Sequence, residues 1–276
     1  MAITATQVNE LRQKTGAPLM DCKKALTESN GDLEAAIDYL RKKGQKLSAL
    51  RNDREAKEGV VYALTTENGK TGVLLNLGCE TDFVGKNADF IEFARKAAEL
   101  ALNNNIDNVN DLLRANMDGV TVADRVSDMI GKIGEKIEVK KLELVKGESV
   151  IPYIHAGYKM GVLVAFNQPK NEKLETAGKD IAMQIAAMNP VALDKDSVSQ
   201  EVIDRELDIA REQIRQEGKP ENMLDKIAAG KLQKFFKDNT LLAQQFVKDG
   251  NKTVADVIKE TDANLKVISF KRMTLA

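Results

Sequence analysis

The 276-residue sequence contains no tryptophan, one histidine and two cysteines, and aromatic residues make up only 4% of it. Because no pair of histidines or cysteines stands at ligand spacing, the chain carries no signature of a zinc site, and we expect no bound metal. Cys22 and Cys79 lie far apart, each in an apolar context. We interpret them as buried free thiols in a reducing cytoplasm, where disulfides are rare.

The chain also lacks long apolar runs and an excess of charge of either sign. No stretch approaches the roughly 20 apolar residues that cross a bilayer, and residues 1–4 lack the basic and apolar regions of a signal peptide. The formal net charge is −1 and the pI is about 6.1, although 30% of the residues are charged. We therefore expect no membrane or nucleic-acid partner, and a helix-rich cytoplasmic protein with large solvated faces.

Motifs of nucleotide-binding and catalytic sites are absent as well. Gly69-Lys70-Thr71 looks like the end of a phosphate-binding loop, but Leu64 stands where that motif has its first glycine, and a strand follows instead of a helix. The sequence contains no Gly-x-Gly-x-x-Gly fingerprint and no set of serine, histidine and acid. It therefore predicts a protein that is not an enzyme, holds no cofactor and binds no nucleotide directly.

The first part of the chain predicts a small module of three helices. Thr4 and Gln7 form a capping box that begins the first helix. Asp32 caps the third helix, and Gly44 is predicted to end it. Residues 45–58 are charged and poor in apolar periodicity, which predicts a linker or an exposed helix.

The second helix of this module carries both a core stripe and an exposed side chain. Its inward stripe is predicted to consist of Leu19, Cys22, Ala25 and Leu26. Met20 falls about 200° around the helix from Cys22, at 100° per residue, and so points away from the stripe. Because Arg12 and Lys23 are near Met20, we expect a contact surface here.

Two pairs of apolar strands predict two hairpins, over 59–66 with 71–77 and over 150–155 with 161–166. Both pairs carry the same Gly-Val-Leu sequence, at 72–74 and at 161–163. Further predicted elements are helices over 87–102, 121–133 and 253–260, strands over 137–145 and 265–271, and a helix whose stripe is Leu174, Ile181, Ile185 and Met188. The repeat predicts two related α+β subdomains with antiparallel sheets.

Residues 196–239 have a different apolar pattern from the rest of the chain. Apolar residues recur there with a period near 3.5, and Gly218-Lys219-Pro220 interrupts them. This pattern predicts an antiparallel helical hairpin inserted into the second subdomain. The complete prediction is an α+β chain with a three-helix module and linker at 1–54, a first subdomain at 55–145 and a second at 146–276.

The segment Thr81-Asp82-Phe83-Val84 places a large apolar side chain between a predicted strand and a predicted helix. Thr81 and Asp82 are favourable N-cap residues, so we expect the chain to turn from strand into helix here. Phe83 has two interpretations. It is either a hydrophobic staple tucked beneath the following helix or an aromatic wedge offered to a partner.

Three stretches of the sequence are distinctive together: Cys79-Glu80-Thr81-Asp82-Phe83-Val84, the stretch over 11–26 that includes Thr15-Gly16-Ala17-Pro18, and the stretch over 153–164 that includes His155-Ala156-Gly157. Together they resemble the bacterial elongation factor Ts family, the nucleotide exchange factors of the GTPase elongation factor Tu. The resemblance implies that the chain binds elongation factor Tu with GDP and promotes exchange for GTP by disturbing the partner's Mg²⁺ and nucleotide site. It also implies that the first module is a ubiquitin-associated-like domain that grips a helix of the GTPase.

The same resemblance implies which residues contact the partner. Those that dislodge its Mg²⁺ are Thr81, Asp82, Phe83 and Val84, and the other contacts are Arg12, Leu19, Met20, Lys23, His155, Met160 and Gly161. For His155 the alternative is a hairpin residue bonded to the backbone. Two other functions stay open from the residues: a translation-associated RNA binder, against which near-neutral charge and few aromatics argue, and a scaffold built on the helical hairpin.

Overall fold

The computed structural model describes residues 3–51 and 53–275, and its first three helices form the amino-terminal module. They are α1 Ala5–Thr15, α2 Leu19–Glu28 and α3 Leu33–Leu50. The predicted capping box of Thr4 and Gln7 begins α1, and Asp32 accepts a hydrogen bond from the Ala35 N–H at the start of α3. The three helices enclose a small core, which contains Val8, Leu11, Ala17, Cys22, Ala25, Leu26 and Ala36. The likeness of this three-helix module to a ubiquitin-associated domain stays a prediction.

The first half of the remaining chain builds an antiparallel sheet with helices on one face. Its elements are β1 Glu58–Thr65, β2 Thr71–Cys79, α4 Asp82–Gly85, α5 Ala88–Asn103, α6 Val109–Arg114, β3 Asn116–Met117, β4 Val120–Thr121, α7 Val122–Ile133 and β5 Ile137–Lys146. The sheet has the order β1-β2-β5, and β3 and β4 form a separate two-stranded ribbon. Neither α6 nor this ribbon is predicted from the sequence, because both are too short to show a period.

The second half builds a matching sheet. Its elements are β6 Ser149–His155, β7 Met160–Phe166, α8 Glu172–Met188, α9 Gln200–Gln216, α10 Leu224–Asn239, β8 Gln245–Phe246, β9 Asp249–Thr253, α11 Val254–Thr261 and β10 Val267–Thr274. The sheet has the order β10-β7-β6, with β8 and β9 as a second ribbon. The predicted hairpins, main helices and final strand are therefore confirmed.

The two halves repeat one arrangement. In each sheet the second strand of the hairpin is central, and a short ribbon and a capped helix precede the last strand. The two capped helices begin with the same residues, Thr-Val-Ala-Asp, at 121–124 and 253–256, and each threonine and aspartate form a capping box. The predicted α+β class is confirmed, whereas the domain boundaries at 54 and 145 stay predictions.

The two sheets pack face to face through the Gly-Val-Leu repeat. A Cβ atom at Gly72 would lie 3.0 Å from a methyl carbon of Leu163, and one at Gly161 would lie 2.8 Å from a methyl carbon of Leu74. The glycine of each repeat thus makes room for the leucine of the other, as in a two-fold contact. The buried residues of this layer are Val61, Ala63, Leu74, Val145, Val150, Leu163, Ala165, Met273 and Leu275.

The prediction that Gly44 ends the third helix is wrong, because α3 continues to Leu50. Gly44 is buried against α7, where a Cβ atom at its position would lie 2.6 Å from the Ser127 carbonyl oxygen. Gly131 of α7 faces it, since a Cβ atom there would lie 3.2 Å from the Gly44 Cα. Gly44 is therefore required because α3 and α7 pack too closely for a side chain at this position. Residues 45–50 belong to the helix and not to a linker.

Two residues predicted in apolar stripes are exposed instead. Leu19 and Met188 are both among the exposed large apolar side chains, so the placement of Leu19 in the inward stripe is wrong, and Met188 lies outside the core although it continues the apolar period. Leu19 is the first residue of α2 and Met188 the last of α8. At a helix end the neighbouring layer no longer covers the stripe, although the period of the sequence continues through it.

The helices α9 and α10 form the predicted hairpin. Gly218 adopts a left-handed backbone with φ of 72° between them, as the breaker sequence predicts. The two helices share an apolar seam of their own, which contains Ala210, Ile214, Leu224 and Ala228. At the base of the hairpin, the Val191 N–H donates to the Asn239 carbonyl and the Leu241 N–H donates to the Ala192 carbonyl.

Within residues 3–51 and 53–275, no helix has both the length and the apolar character that a membrane span requires. The same residues bring together no group of three or more His, Cys, Asp and Glu side chains suited to a metal ion. Cys22 and Cys79 are buried and free, as predicted.

Candidate functional site

Phe83 projects from α4, the single helical turn that connects β2 to α5. Its side chain is 83% exposed, whereas that of the next residue, Val84, is 9% exposed. Val84 belongs to the core between the β1-β2-β5 sheet and its helices, which we call the first core. The staple interpretation of Phe83 is therefore wrong. Val84 does the packing, and Phe83 is left facing solvent.

A close backbone contact holds α4 against β1. A Cβ atom at Gly85 would lie 3.0 Å from the Gly59 carbonyl oxygen and 3.3 Å from its nitrogen. Gly59 itself has a φ of 145°, and a Cβ atom there would lie 2.1 Å from the Leu77 carbonyl oxygen. The two glycines bring the turn within contact distance of the sheet, so the position of α4 on β1 is fixed.

Thr81 is the N-cap residue of α4, but its side chain makes no cap hydrogen bond. Its hydroxyl instead donates to Glu135 Oε1 at 2.6 Å, and its backbone N–H donates to Glu135 Oε2 at 3.0 Å. Glu135 lies in the loop between α7 and β5, 54 positions along the chain. Thr81 therefore occupies the N-cap position that the sequence predicts, although both of its donors face that carboxylate.

Glu80 ties the same turn to the end of the amino-terminal module. Its carboxylate accepts hydrogen bonds from Arg51 Nη1 at 2.8 Å, Arg54 Nη1 at 2.9 Å and the Lys136 N–H at 2.6 Å. Partial burial by itself would raise the pKa of Glu80, but these hydrogen bonds from Lys136, Arg54 and Arg51 outweigh it and lower the pKa to about 2. Glu80 is therefore ionised at neutral pH.

The thiol of Cys79, at the end of β2, adds a further contact to this turn. It donates to the Thr81 carbonyl at 3.1 Å. Burial, followed by the charges of Glu135 and Glu58, raises the pKa of Cys79 to about 12. Cys79 therefore stays a protonated donor at neutral pH and is no reactive thiolate.

Asp82 stands beside Phe83 and remains accessible. Its carboxylate pairs with Lys86 Nζ at 2.6 Å, one turn further along. The hydrogen bond from Lys86 is the main cause that lowers the pKa of Asp82, and the charge of Lys159 adds to it. A partly exposed anion thus lies next to the exposed aromatic ring.

The β6–β7 tip, residues 155–160, lies next to α4. It contains a 3₁₀ turn in which Gly157 and Tyr158 have positive φ values of 74° and 60°. The Tyr158 ring stacks on Tyr62 of β1 with centroids 5.7 Å apart, and Lys159 Nζ lies 3.4 Å from Glu58 Oε2. Because Lys159 also faces Asp82, two segments that the sequence predicts as contacts are neighbours on this surface.

His155 is exposed at the beginning of this tip. Its Nδ1 lies 2.9 Å from the Tyr153 hydroxyl, a side-chain contact that differs from the backbone bond of the alternative interpretation. Met160, which pairs with His155 across the hairpin, is half-buried. Both border a groove of about 350 Å³, whose apolar lining includes Tyr153, Met183, Ala186, Ala187, Phe246 and Val247. Gly161, in contrast, is buried between the two sheets.

The amino-terminal residues lie on a separate surface of the three-helix module. Met20 is 70% exposed, as predicted, and Arg12, Leu19 and Lys23 are exposed as well. Sequence reasoning missed Glu80 and Glu135 as residues of the site. Glu80 lies within the motif over 79–84, but no local sequence pattern predicts its contacts. Glu135 lies in a loop, where no helical or strand period marks it.

The fold defines an α+β protein in which two antiparallel sheets pack together. Its surface exposes large apolar side chains, of which Phe83 is the most exposed among the described residues. A family model described as "Elongation factor TS" matches residues 80–276. The chain is 51% identical to the elongation factor Ts of Amoebophilus asiaticus over 99% of both chains, and 49% identical to that of Christiangramia forsetii over 99% of this chain and 98% of the relative. Identity to the elongation factor Ts of Chlorobium phaeobacteroides is 43%, over 99% of this chain and 98% of the relative. The chain therefore belongs to the elongation factor Ts family.

Proposed function

We propose that this chain binds the GTPase elongation factor Tu in its GDP form and speeds release of GDP, so that GTP takes its place. Its relatives carry the name elongation factor Ts, and the family implies this partner. The observation that carries the proposal for this chain is the 83% exposure of Phe83 on a turn that packs against β1. Folding gains nothing from leaving a phenylalanine in water, whereas a partner surface gains from covering it.

Thermodynamic reciprocity relates partner binding to nucleotide release. If this chain weakens the binding of GDP to the partner by some factor, GDP weakens the binding of this chain by the same factor. A 10⁴-fold effect requires about 5.5 kcal/mol of coupling, and full burial of one phenylalanine contributes about 1.5–3 kcal/mol. Phe83 therefore supplies part of the coupling and not all of it.

The partner's Mg²⁺ is the proposed source of the remainder. Mg²⁺ demands near-octahedral geometry and is held by few protein ligands together with nucleotide phosphates. Insertion of Phe83 between helices of the partner would displace them and disturb that geometry. Asp82, partly exposed beside Phe83, adds a negative charge that a nucleotide-free pocket tolerates better than one that holds nucleotide phosphates.

The remaining residues of the motif support the wedge from beneath. Val84 is buried in the first core, and the hydroxyl and N–H of Thr81 bond to Glu135. We therefore assign direct contact to Phe83 and Asp82, and a supporting role to Thr81 and Val84. Gly161 has a supporting role too, because it lies between the sheets.

Two further surfaces act as anchors in this proposal. One contains Arg12, Leu19, Met20 and Lys23 of the amino-terminal module, and the other contains His155 and Met160 on the β6–β7 tip. Each anchor raises the effective concentration of the wedge at its target, as linked binding sites do. On this proposal the chain works in the cytoplasm, catalyses no covalent change and binds neither nucleotide nor nucleic acid itself.

The direct test is release of a fluorescent GDP analogue from cognate elongation factor Tu, followed by stopped flow with and without this chain. We expect the release rate to rise with the concentration of this chain until the complex saturates. Calorimetry of this chain alone should give no GDP binding. A release rate that does not change, or submicromolar GDP affinity of this chain, would overturn the proposed function.

A further inference from the structure

The helix that carries Phe83 cannot hold its own direction. It has four residues, and a helix of that length does not form by itself because nucleation is costly. Val84 in the core and Gly85 against Gly59 fix where the turn lies. The direction of its first residues, and with it that of Phe83, depends on what holds the chain just before the helix.

The β2–β5 ladder stops just before this point, at the pair of Cys79 and Ile137. Beyond it the two chains separate, since β2 continues into α4 and β5 arrives from α7. Their next N–H groups therefore need other partners. Glu80 accepts from the Lys136 N–H at 2.6 Å, and Glu135 accepts from the Thr81 N–H at 3.0 Å. Each carboxylate stands next to the donor of the other, so the two contacts are reciprocal.

The two carboxylates differ in what else they hold. Glu80 also bonds to Arg51 and Arg54, so its loss would disturb the end of α3 as well. Both oxygens of Glu135 accept from Thr81, one from its N–H and one from its hydroxyl. A substitution at Glu135 therefore removes the two hydrogen bonds of Thr81 and leaves the contacts of Glu80 with Arg51 and Arg54 in place.

We propose that Glu135 is a positioning residue for Phe83. It fixes the N–H and the hydroxyl of Thr81, and so sets the direction in which α4 presents the aromatic ring, without touching the partner itself. The inference rests on the proposed function for its effect on GDP release. Its structural half, the restraint of residue 83, stands independently of any partner.

The structural half is measured on this chain alone. Because the chain has no tryptophan, Phe83→Trp introduces a single indole at the exposed position. In this background, we expect Glu135→Ala to lower the nanosecond fluorescence anisotropy of the indole. Glu135→Gln should preserve it, since an amide accepts from the N–H and donates to the hydroxyl. Unchanged anisotropy in Glu135→Ala would overturn the proposal.

A matched control lies in the second half of the chain. Asp256 Oδ2 accepts from the Thr253 hydroxyl at 2.7 Å and from its N–H at 2.8 Å, so it too holds the hydroxyl and the N–H of a threonine, at the start of α11. Asp256→Ala removes a comparable pair of hydrogen bonds far along the chain from Phe83. It should leave the anisotropy of the indole and the rate of GDP release unchanged. A loss in Asp256→Ala equal to that in Glu135→Ala would show a general effect of stability and would overturn the positioning role.

The functional half is measured by a double-mutant cycle in the GDP-release assay. With Phe83 present, Glu135→Ala should lower the second-order rate constant about tenfold, as loss of a charge-assisted hydrogen bond would. In the Phe83→Ala background the same change should cost less than about twofold, because Glu135 acts through Phe83. Glu135→Gln should stay within about twofold of the unaltered chain. Losses that multiply across the two backgrounds would overturn the inference.

Two results, the absence of accelerated GDP release by the unaltered chain and the failure of Glu135→Ala to fold, have separate consequences. If the unaltered chain does not speed GDP release, the proposed function fails while the anisotropy result still decides the restraint. If Glu135→Ala does not fold, Thr81→Val replaces it, since it removes the hydroxyl contact and keeps the N–H. We then expect a loss of about threefold that again disappears in the Phe83→Ala background. A loss that persists there would overturn the inference.

Discussion

Replacing Phe83 by alanine distinguishes a surface side chain from a core one. Because 83% of Phe83 is exposed, its removal leaves no cavity, and we expect the free energy of unfolding to change by less than about 0.5 kcal/mol. Phe90 of α5 is fully buried in the first core. Phe90→Ala is therefore expected to cost about 3–5 kcal/mol, and it calibrates the measurement.

The same substitution should have a large effect on exchange. A phenylalanine that passes from water into a partner surface gains about 1.5–3 kcal/mol. Loss of that energy lowers the second-order rate constant of GDP release by roughly 10- to 150-fold. We expect the largest loss at high Mg²⁺, because the metal then opposes displacement most strongly.

The assay is stopped-flow release of a fluorescent GDP analogue at low and at high Mg²⁺, with urea unfolding on the same preparations. Ile268→Ala is the matched control, since Ile268 on β10 is a 47% exposed apolar residue outside the proposed contacts. If Phe83→Ala exchanges as fast as Ile268→Ala, the wedge is refuted. Severe loss of stability with full exchange for each folded molecule would refute it equally.

Three other perturbations test separate parts of the protein. Met20→Ala should weaken affinity for elongation factor Tu several-fold without changing the urea midpoint, because Met20 is 70% exposed; unchanged affinity in calorimetry would remove Met20 from the contact set. Glu80 has a folded pKa of about 2, below its ordinary value of 4.5, so its stabilisation is complete above about pH 4.5 and is lost as pH falls toward 2. The difference in unfolding free energy between the unaltered chain and Glu80→Gln should therefore shrink across that window, and a constant difference would contradict the shift. Replacing residues 199–235 by a short Gly/Ser linker keeps the paired base of the helical hairpin, so a cooperative urea transition and substantial exchange should survive. Loss of the cooperative urea transition would show that the core of the second half depends on the hairpin.

Much of the fold follows from local patterns in the sequence. The capping box at Thr4 and Gln7 begins α1, and the breaker at Gly218 separates α9 from α10. The apolar period after residue 87 predicts α5, whose stripe is buried in the first core. These signals are readable because their causes, hydrogen bonds and side-chain faces, lie within a few residues of one another.

Local patterns fail where a distant element decides the outcome. Gly44 has the residue type of a helix end, yet α3 continues through it, because α7 approaches so closely that no side chain fits. Leu19 and Met188 continue an apolar period but lie at helix ends that no neighbouring layer covers. In each case the deciding group is a packing partner, or the lack of one, that the sequence does not show.

The candidate site divides in the same way. The motif around Phe83, the family to which it belongs and the turn from strand to helix are all readable from the sequence. Only the tertiary structure decided that Val84 packs while Phe83 is exposed, and that Glu80 and Glu135 hold the turn. The contact of Thr81 with Glu135 joins residues 54 positions apart. No helical or strand period extends over that distance, so such a contact arises only when two separately encoded elements meet in the folded chain.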